Sequence, residues 1–257
     1  MTKERFARMR KALSQRQPDL TVMLDGVHKV WNLSAVFRTA EAVGLFEVHA
    51  VFSEDIEPEL SKAHSSGVAQ WVGLQPHRQT ESAITELKTR GFRVVGVDLT
   101  PNAIDFRAYD YTRPTALVMG AEKFGLTPTA RRLVDQSLVI PMMGLGVSLN
   151  VSVAAAVVLY EAQRQRTEAG LYDQSRLPAE VFERILFEWA YPEVTVFCQK
   201  EGLPYPIINE EGEIPDLVAG LSVAEIRARA RQQEREEWAA RKCPPGDKGF
   251  SGGTERS

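Results

Sequence analysis

Apolar positions along this chain fall into short runs separated by amphipathic stretches, and that alternation dictates a fold class before any single residue is considered. The run LTVML at 20–24 reads as a buried strand, and Asn32 to Gly44 (NLSAVFRTAEAVG) as a helix with Asn32 as its cap and Gly44 as its stop. Leu45 to Phe52 follows as the next strand, which completes a βαβ unit. The same pattern predicts a helix from about Pro58, a strand near Val68 to Leu74, a helix over Glu81 to Gly91 and a strand over Phe92 to Leu99. Ala116 to Met119 and Leu138 to Ile140 bring the total to about six strands. The expectation is an α/β fold, a mainly parallel sheet covered by helices, with ligands bound beyond the carboxyl ends of the strands.

The stretch from Val139 to Arg166 organises the rest. A strand ends at Ile140, Pro141 cannot donate to a further ladder bond, and Gly144 and Gly146 allow the loop to fold back on itself. Ser148 and Asn150 are both suited to cap the helix that follows, whose free N–H groups could equally face an anion or a polar cofactor. That helix is apolar nearly all round as far as Tyr160, whereas Glu161 to Arg166 turn polar, so its first half is expected in the core and its second in water. No charge occurs from Gln136 to Tyr160, yet the proline, glycines, serine and asparagine there would leave backbone groups unpaired in lipid, which excludes a membrane span.

Composition adds little to this picture. A chain of 257 residues, 44% hydrophobic and 25% charged, suits one large domain or one domain with appendages. With no signal peptide in evidence, a cytoplasmic protein is expected. Cys198 and Cys243 stand alone and His28, His49, His64 and His77 form no ligand spacing, so free thiols and no metal site are predicted.

Charge is more telling. The net value is only −3, but residues 1–20 hold six basic residues against Glu4 and Asp19, a local +4. Phe6, Met9 and Leu13 recur at helical spacing there, so a helix could dock one side while offering Arg5, Arg8, Arg10, Lys11 and Arg16 to a phosphate backbone, or could simply be a solvated surface helix. Beyond the core, helices are expected near Pro178 to Ala190 and Glu193 to Gly202. Residues 221–257, rich in Arg and Glu and ending CPPGDKGFSGGTERS, have the composition of a disordered tail. The expected divisions are a basic N-terminal extension over 1–19, the main domain over 20–166, a helical extension over 167–220 and that tail.

Three predicted strand ends could face one crevice: VVGVDLT at 94–100, MGAEKFGL at 119–126 and the loop after Ile140. None fits GxGxxG, and no GxxxxGK[ST] occurs, which disfavours a nicotinamide-dependent oxidoreductase and a P-loop enzyme. Asp98 could hold a ribose or merely form a turn.

NLSAVFRTAEAVG, VMGAEKFGL and IPMMGLGVSLNVSVAAAVVLYE, in this order and spacing, resemble the three motifs of the SpoU (TrmH) ribose methyltransferases of the SPOUT superfamily. The flanks RFARMRKALSQRQPDLTVML and GLPYPIINEEGEI resemble the branch that methylates a guanosine 2′-hydroxyl in the D-loop of tRNA; the same chemistry on ribosomal RNA is the alternative. The resemblance implies a C-terminal trefoil knot, a homodimer, a tRNA partner and S-adenosylmethionine held largely by backbone groups at Val97, Leu99, Gly120, Ile140, Met142 and Leu149. It also implies that Arg38 serves the reacting hydroxyl, with Asn32 and Asn150 positioning it and Glu122 and Ser148 completing the polar shell. A base role for an arginine is chemically awkward, since a guanidinium gives up its proton only above pH 12, and electrostatic stabilisation of the forming alkoxide is the easier role. Helix capping remains open for Asn32, as does a plain loop acid for Glu122. Trp31 stands where the family more often has an imidazole or another polar residue.

Overall fold

The computed structural model describes residues 1–27, 29–52, 71–122 and 124–242. Two compact units divide the chain: Arg8–Glu183, and Met1–Ala7 together with the chain from Arg184 onward.

The larger unit is built on a sheet whose strands are β1 (Leu20–Asp25), β2 (Glu47–Val51), β3 (Gly73–His77), β4 (Arg93–Val97), β5 (Ile104–Asp105), β6 (Thr115–Gly120) and β7 (Gln136–Val139). Their order is β3-β2-β1-β6-β4-β7-β5, and every pairing is parallel. The expected α/β architecture is therefore present, with seven strands where about six were predicted; β5 has two residues and carries no periodicity to read.

Helices α2 (Val30–Ala42) and α5 (Val151–Glu168) cover one face, packing on Leu20, Val22, Leu24, Val48, Ala50, Leu117 and Met119. Helices α3 (Thr80–Thr89) and α4 (Pro128–Leu133) cover the other, packing on Met23, Val94, Ala116 and Val118. Successive residues of β1 and β6 thus feed opposite cores, which is why these strands read as unbroken apolar runs instead of alternating ones. Helix α1 (Lys3–Ser14) buries Phe6, Met9 and Leu13, as their spacing predicts.

Several expectations change. The helix predicted from Pro58 lies outside the described residues, as does the start of the strand predicted at Val68. β3 runs from Gly73 to His77 and so continues past the last apolar residue, Leu74. It is an edge strand, where Pro76 costs no ladder bond and where Gln75 and His77 find polar partners in Glu47 and His49 of β2. Gly44, with φ +80°, ends the α2 region as expected. Gly144 and Gly146 do not adopt left-handed backbone, and a side chain at either would meet only open space, so the loop after Pro141 does not depend on glycine geometry. The polar end of α5 does not wholly emerge into water either: Arg166 is 0% exposed. Its guanidinium donates to Asp19 Oδ1 (2.7 Å), Gln17 Oε1 (3.0 Å) and the carbonyls of Tyr111, Arg113 and Asp19. A side chain with that many acceptors can be buried charged.

In the smaller unit, α7 (Pro192–Glu201) is followed by a β8–β9 hairpin (Leu217–Val218, Leu221–Ser222) and α8 (Val223–Lys242). Tyr191 donates to the Gly212 carbonyl at 2.7 Å, and Phe187 stacks on Tyr205. Helix α6 (Ala179–Ala190) and α7 fall where predicted, with Gly202 at φ +65° ending the latter. The prediction of disorder from 221 onward is corrected as far as Lys242. Few apolar residues are present, but Ala, Arg, Glu and Gln are strong helix formers, and Arg227–Glu193 and Lys200–Gln233 contacts tie α8 to α7. Residues 243–257, Cys243 among them, lie outside the described residues.

Candidate active site

In the sheet order, β6, β4 and β7 are neighbours, and their carboxyl ends lie level: Val97 pairs with both Met119 and Leu138. The chain leaves β3 at one edge and re-enters at β4 beyond β1, so the strand order reverses between β1 and β6, and the crevice lies on the β6 side of that reversal. A cleft of about 690 Å³ opens there, walled by residues 97–99, 119–122, 124–125, 138–140, 142 and 144–149. All six positions expected to hold a cofactor line it: Val97, Leu99, Gly120, Ile140, Met142 and Leu149. Glu122 and Ser148 line it as well.

The glycines that matter locally are in the second motif. A Cβ on Gly120 would stand 2.1 Å from the carbonyl carbon of Gly125, and Gly125 itself has φ +65°. The turn after β6 therefore closes on itself by direct backbone contact, with no room for a side chain at Gly120. Asp98, at the end of β4, is engaged by Arg131 through two hydrogen bonds, so the carboxylate considered for a ribose already has a cationic partner on the cleft wall.

At the mouth of the cleft a polar cluster joins three parts of the chain. Asn32 Nδ2 donates to Glu122 Oε1 at 2.8 Å, and Asn150 Nδ2 donates to the same carboxylate and to Asn32 Oδ1 at 3.2 Å. Lys29 forms a close ion pair with Glu122 Oε2. The Lys29 ammonium, helped by the Asn32 amide, holds the Glu122 carboxyl below the usual carboxylate range. Asn150 caps α5, its Oδ1 accepting from the Ser152 N–H (2.9 Å) and hydroxyl (2.6 Å). Asn32 is not a helix cap: α2 begins two residues earlier, at Val30 with Lys29 as the flanking residue, and the Asn32 side chain is buried in the first turn because it reaches Glu122. Lys29 gave no sequence signal, since a lone lysine before a helix is ordinary.

Not every expected residue joins this cluster. Arg38 is exposed on α2. Six residues separate it from Asn32, which on a helix is about 9 Å along the axis and well round from the buried face. Ser148 is exposed on the loop and caps nothing. Of the five cations expected to meet RNA, Arg5, Arg8, Arg10 and Lys11 are exposed. Arg16 is 2% exposed, its guanidinium donating to the Leu45 carbonyl (3.0 Å) and to the Glu41 carboxylate (3.3 Å), so it cannot offer itself to a phosphate. The sign of its charge is legible from sequence, whereas its burial depends on the carbonyls at the end of α2.

The cleft has the volume of a small-molecule site, an apolar rim including Leu99, Met142 and Leu149, a carboxylate-bearing mouth and a floor of bare backbone, which together suit a nucleoside-bearing sulfonium. Among the described residues no group of His, Cys, Asp and Glu could hold a metal ion, and no helix is long and apolar enough to cross a membrane.

Comparison with known proteins places these features. Residues 19–160 match the model of the SpoU rRNA Methylase family, and residues 164–216 match that of its C-terminal region. The tRNA (guanosine(18)-2′-O)-methyltransferase of Escherichia coli K12 is 47% identical over 216 residues, covering 83% of this chain and 94% of that one. The crystal structure of the TrmH/SpoU tRNA modifying enzyme of A. aeolicus is similar with a TM-score of 0.69 at 39% identity, covering 74% of this chain and 97% of that one. The SpoU methyltransferase AviRb of Streptomyces viridochromogenes, solved with AdoMet, is similar with a TM-score of 0.53 at 26% identity, covering 60% and 62%. A parallel sheet with its cleft at the ends of β4, β6 and β7, a family model spanning that whole sheet and a full-length relative close to half identical have one reading: this chain belongs to the SpoU methylase family.

Proposed function

We infer that the protein transfers a methyl group from S-adenosylmethionine to the ribose 2′-hydroxyl of a guanosine in the D-loop of tRNA. The observation that carries this reading is the Asn32–Glu122–Asn150 cluster, drawn from all three family motifs, at the mouth of a cofactor-sized cleft. The relatives that match over most of the chain are named for that reaction on tRNA, which favours it over the ribosomal alternative.

When bound, S-adenosylmethionine supplies a methyl group on a sulfonium sulfur that an oxygen nucleophile can displace. Val97, Leu99, Gly120, Ile140, Met142 and Leu149 are the groups that would hold it, chiefly through backbone and apolar contact. Glu122, fixed by three donors, locks the carboxamides of Asn32 and Asn150 into one arrangement at the mouth of the cleft. Arg38 is assigned to the reacting hydroxyl, where a guanidinium stabilises the negative charge that develops on oxygen as its proton passes to solvent and the methyl group leaves a neutral thioether behind. Ser148 on the loop completes the polar lining.

Three further features belong to the same reading. The crossing from β7 through α5 forms the trefoil knot, supported by β6 lying between β1 and β4 while β7 lies beyond β4. Two copies pair, supported by the partly exposed stripe of Val153, Val157 and Tyr160 at helical spacing on α5. Arg5, Arg8, Arg10 and Lys11 contact phosphates of a tRNA in the cytoplasm.

Mass spectrometry of digested tRNA tests the reaction. Cells lacking the protein should contain an unmethylated D-loop guanosine that purified protein and S-adenosylmethionine convert to the 2′-O-methyl form. Methylation unchanged in those cells, with none added in vitro, overturns it.

A further inference from the structure

An exposed tryptophan stands beside the polar cluster and takes no part in it. Trp31, in the first turn of α2, is 71% exposed, while the next residue, Asn32, is buried and bonded to Glu122. Tryptophan has much to gain from burial, so an indole left in solvent at the mouth of a site calls for an account. Helix geometry supplies one. Trp31 and Arg38 are seven residues apart, which brings them to within about 20° of each other around the helix and about 10 Å apart along it. Ser34 and Ala35, both short, lie between them, so the solvent face of α2 presents an aromatic plane at one end, a cation at the other and a shallow saddle in the middle.

The solvent face of α2 itself carries no acid. From Val30 to Ala40 the sequence contains one cation, Arg38, and no acidic residue, while Lys29 just before the helix is paired with Glu122. A flat ring on the same helix face as a guanidinium fits a base carried on a phosphodiester, and fits an apolar protein surface poorly.

We propose that Trp31 is the stacking platform for the base of the nucleotide whose ribose is methylated. The proposal rests on the ribose methylation of RNA inferred above and deepens it. If Arg38 takes the 2′-hydroxyl, the base of the same nucleotide projects along α2 toward its N-terminus, where the indole stands. Only an unpaired, splayed-out nucleotide can present its base in this way, so the site selects loop nucleotides over helical ones. Stacking is tolerant of sequence, so Trp31 fixes the orientation of the nucleotide while other groups choose which base is taken. It is a positioning residue: with the base held, the 2′-hydroxyl is turned toward the cleft.

The test uses the full-length protein and an unmodified tRNA transcript. Trp31→Ala should raise KM for the transcript by about tenfold or more, leave KM for S-adenosylmethionine unchanged and leave the sedimentation coefficient unchanged, and Trp31→Phe should restore most of the loss. In a protein with Trp71→Phe, Trp189→Phe and Trp238→Phe, the emission of Trp31 should be quenched by the transcript and not by the same transcript made abasic at the target nucleotide. Equal quenching by both transcripts, or wild-type KM in Trp31→Ala, overturns the proposal. Loss of a dimer in Trp31→Ala overturns it too, by assigning the indole to a contact between copies. Methylation of the transcript by the unaltered protein is measured alongside and reports on the reaction itself, so a failure of stacking and a failure of the functional reading are separately visible.

Discussion

Asn150 and Asn32, 118 residues apart in the chain, are joined by a hydrogen bond of 3.2 Å from Asn150 Nδ2 to Asn32 Oδ1, and both amides also point at one carboxylate, that of Glu122. A carboxylate only accepts, so it forces both amide nitrogens toward itself; the Asn150 oxygen is then left for the N–H groups of α5. Glu122→Gln replaces an acceptor by a side chain half of which donates, and brings an amide N–H against Asn150 or the Lys29 ammonium. Both amides then lose their common charged acceptor and the fixed arrangement it imposes, so turnover should fall by roughly tenfold or more. Thermal melting should move little, because Glu122 lies on an accessible turn. Turnover at the wild-type rate would separate the cluster from the chemistry.

Asn150→Ala should do more, because this residue also caps α5. Loss of an N-cap costs about 1 kcal/mol of stability, and the first turn of α5 lines the cleft through Val151 and Ala154, so both S-adenosylmethionine affinity and turnover should drop. Calorimetric titration of the cofactor together with a melting curve checks both halves.

Arg38→Ala should separate the two. Its side chain is on the exposed face of α2, outside the cleft lining, so cofactor affinity should stay within about twofold of wild type. If it stabilises the forming alkoxide, turnover should fall by several hundredfold, the equivalent of about 3–4 kcal/mol. Near-normal turnover would remove it from the mechanism.

What could be read from sequence follows from what sequence encodes locally. Strand and helix positions were legible because Val22, Val48, Leu117 and their neighbours carry the pattern themselves. Much of the cleft was legible because Gly120, Glu122, Ile140, Met142 and Leu149 lie in stretches that resemble the family's motifs. Burial of Arg16 and Arg166 was not, because it is decided by carbonyls and carboxylates brought from Leu45, Tyr111 and Asp19. Nor was the part played by Gly120: the eye goes to the glycine pair in GLGVSLN, whereas the backbone contact that excludes a side chain is between Gly120 and Gly125.

The edge of the sheet carries a pH-sensitive network. Glu47, almost fully buried, accepts from Arg90, Gln75 and His49, and His49 Nδ1 lies 2.8 Å from His77 Nε2. Burial alone would raise the Glu47 carboxyl, but His49 and Arg90 outweigh it and bring it down to about 2. Burial, with His49 adding to it, also lowers His77. A depressed carboxyl contributes stability above its unfolded value, near 4.5, and loses it as pH falls from there toward 2. A depressed histidine acts in the same direction, losing its contribution as pH falls through its ordinary range. Glu47→Gln should therefore cost on the order of 3 kcal/mol in denaturant melts at pH 7, and the difference from wild type should close by about pH 2. A constant difference across that range would show that the loss is one of packing alone.

The N-terminal helix sets the last test, and its buried face decides how the test must be made. Deleting α1 would strip Met9 and Leu13 from the core, so a truncated protein would confuse weak binding with poor folding. Substitution keeps the two apart. Arg8, Arg10 and Lys11 are exposed, and replacing all three by Gln retains the helix and its apolar face. If each cation displaces a counterion from tRNA, the slope of log affinity against log salt should become shallower by about 2 to 3. Arg16→Met makes the internal control. It leaves the Leu45 carbonyl and the Glu41 carboxylate without their donor, at a cost of about 1–3 kcal/mol in stability, while the salt slope of the folded protein should stay as in wild type. S-adenosylmethionine affinity should be unchanged in the triple variant, because no residue of α1 lines the cleft. An unaltered slope in the triple variant would return those cations to an ordinary solvated surface, and a flattened slope in Arg16→Met would contradict its burial.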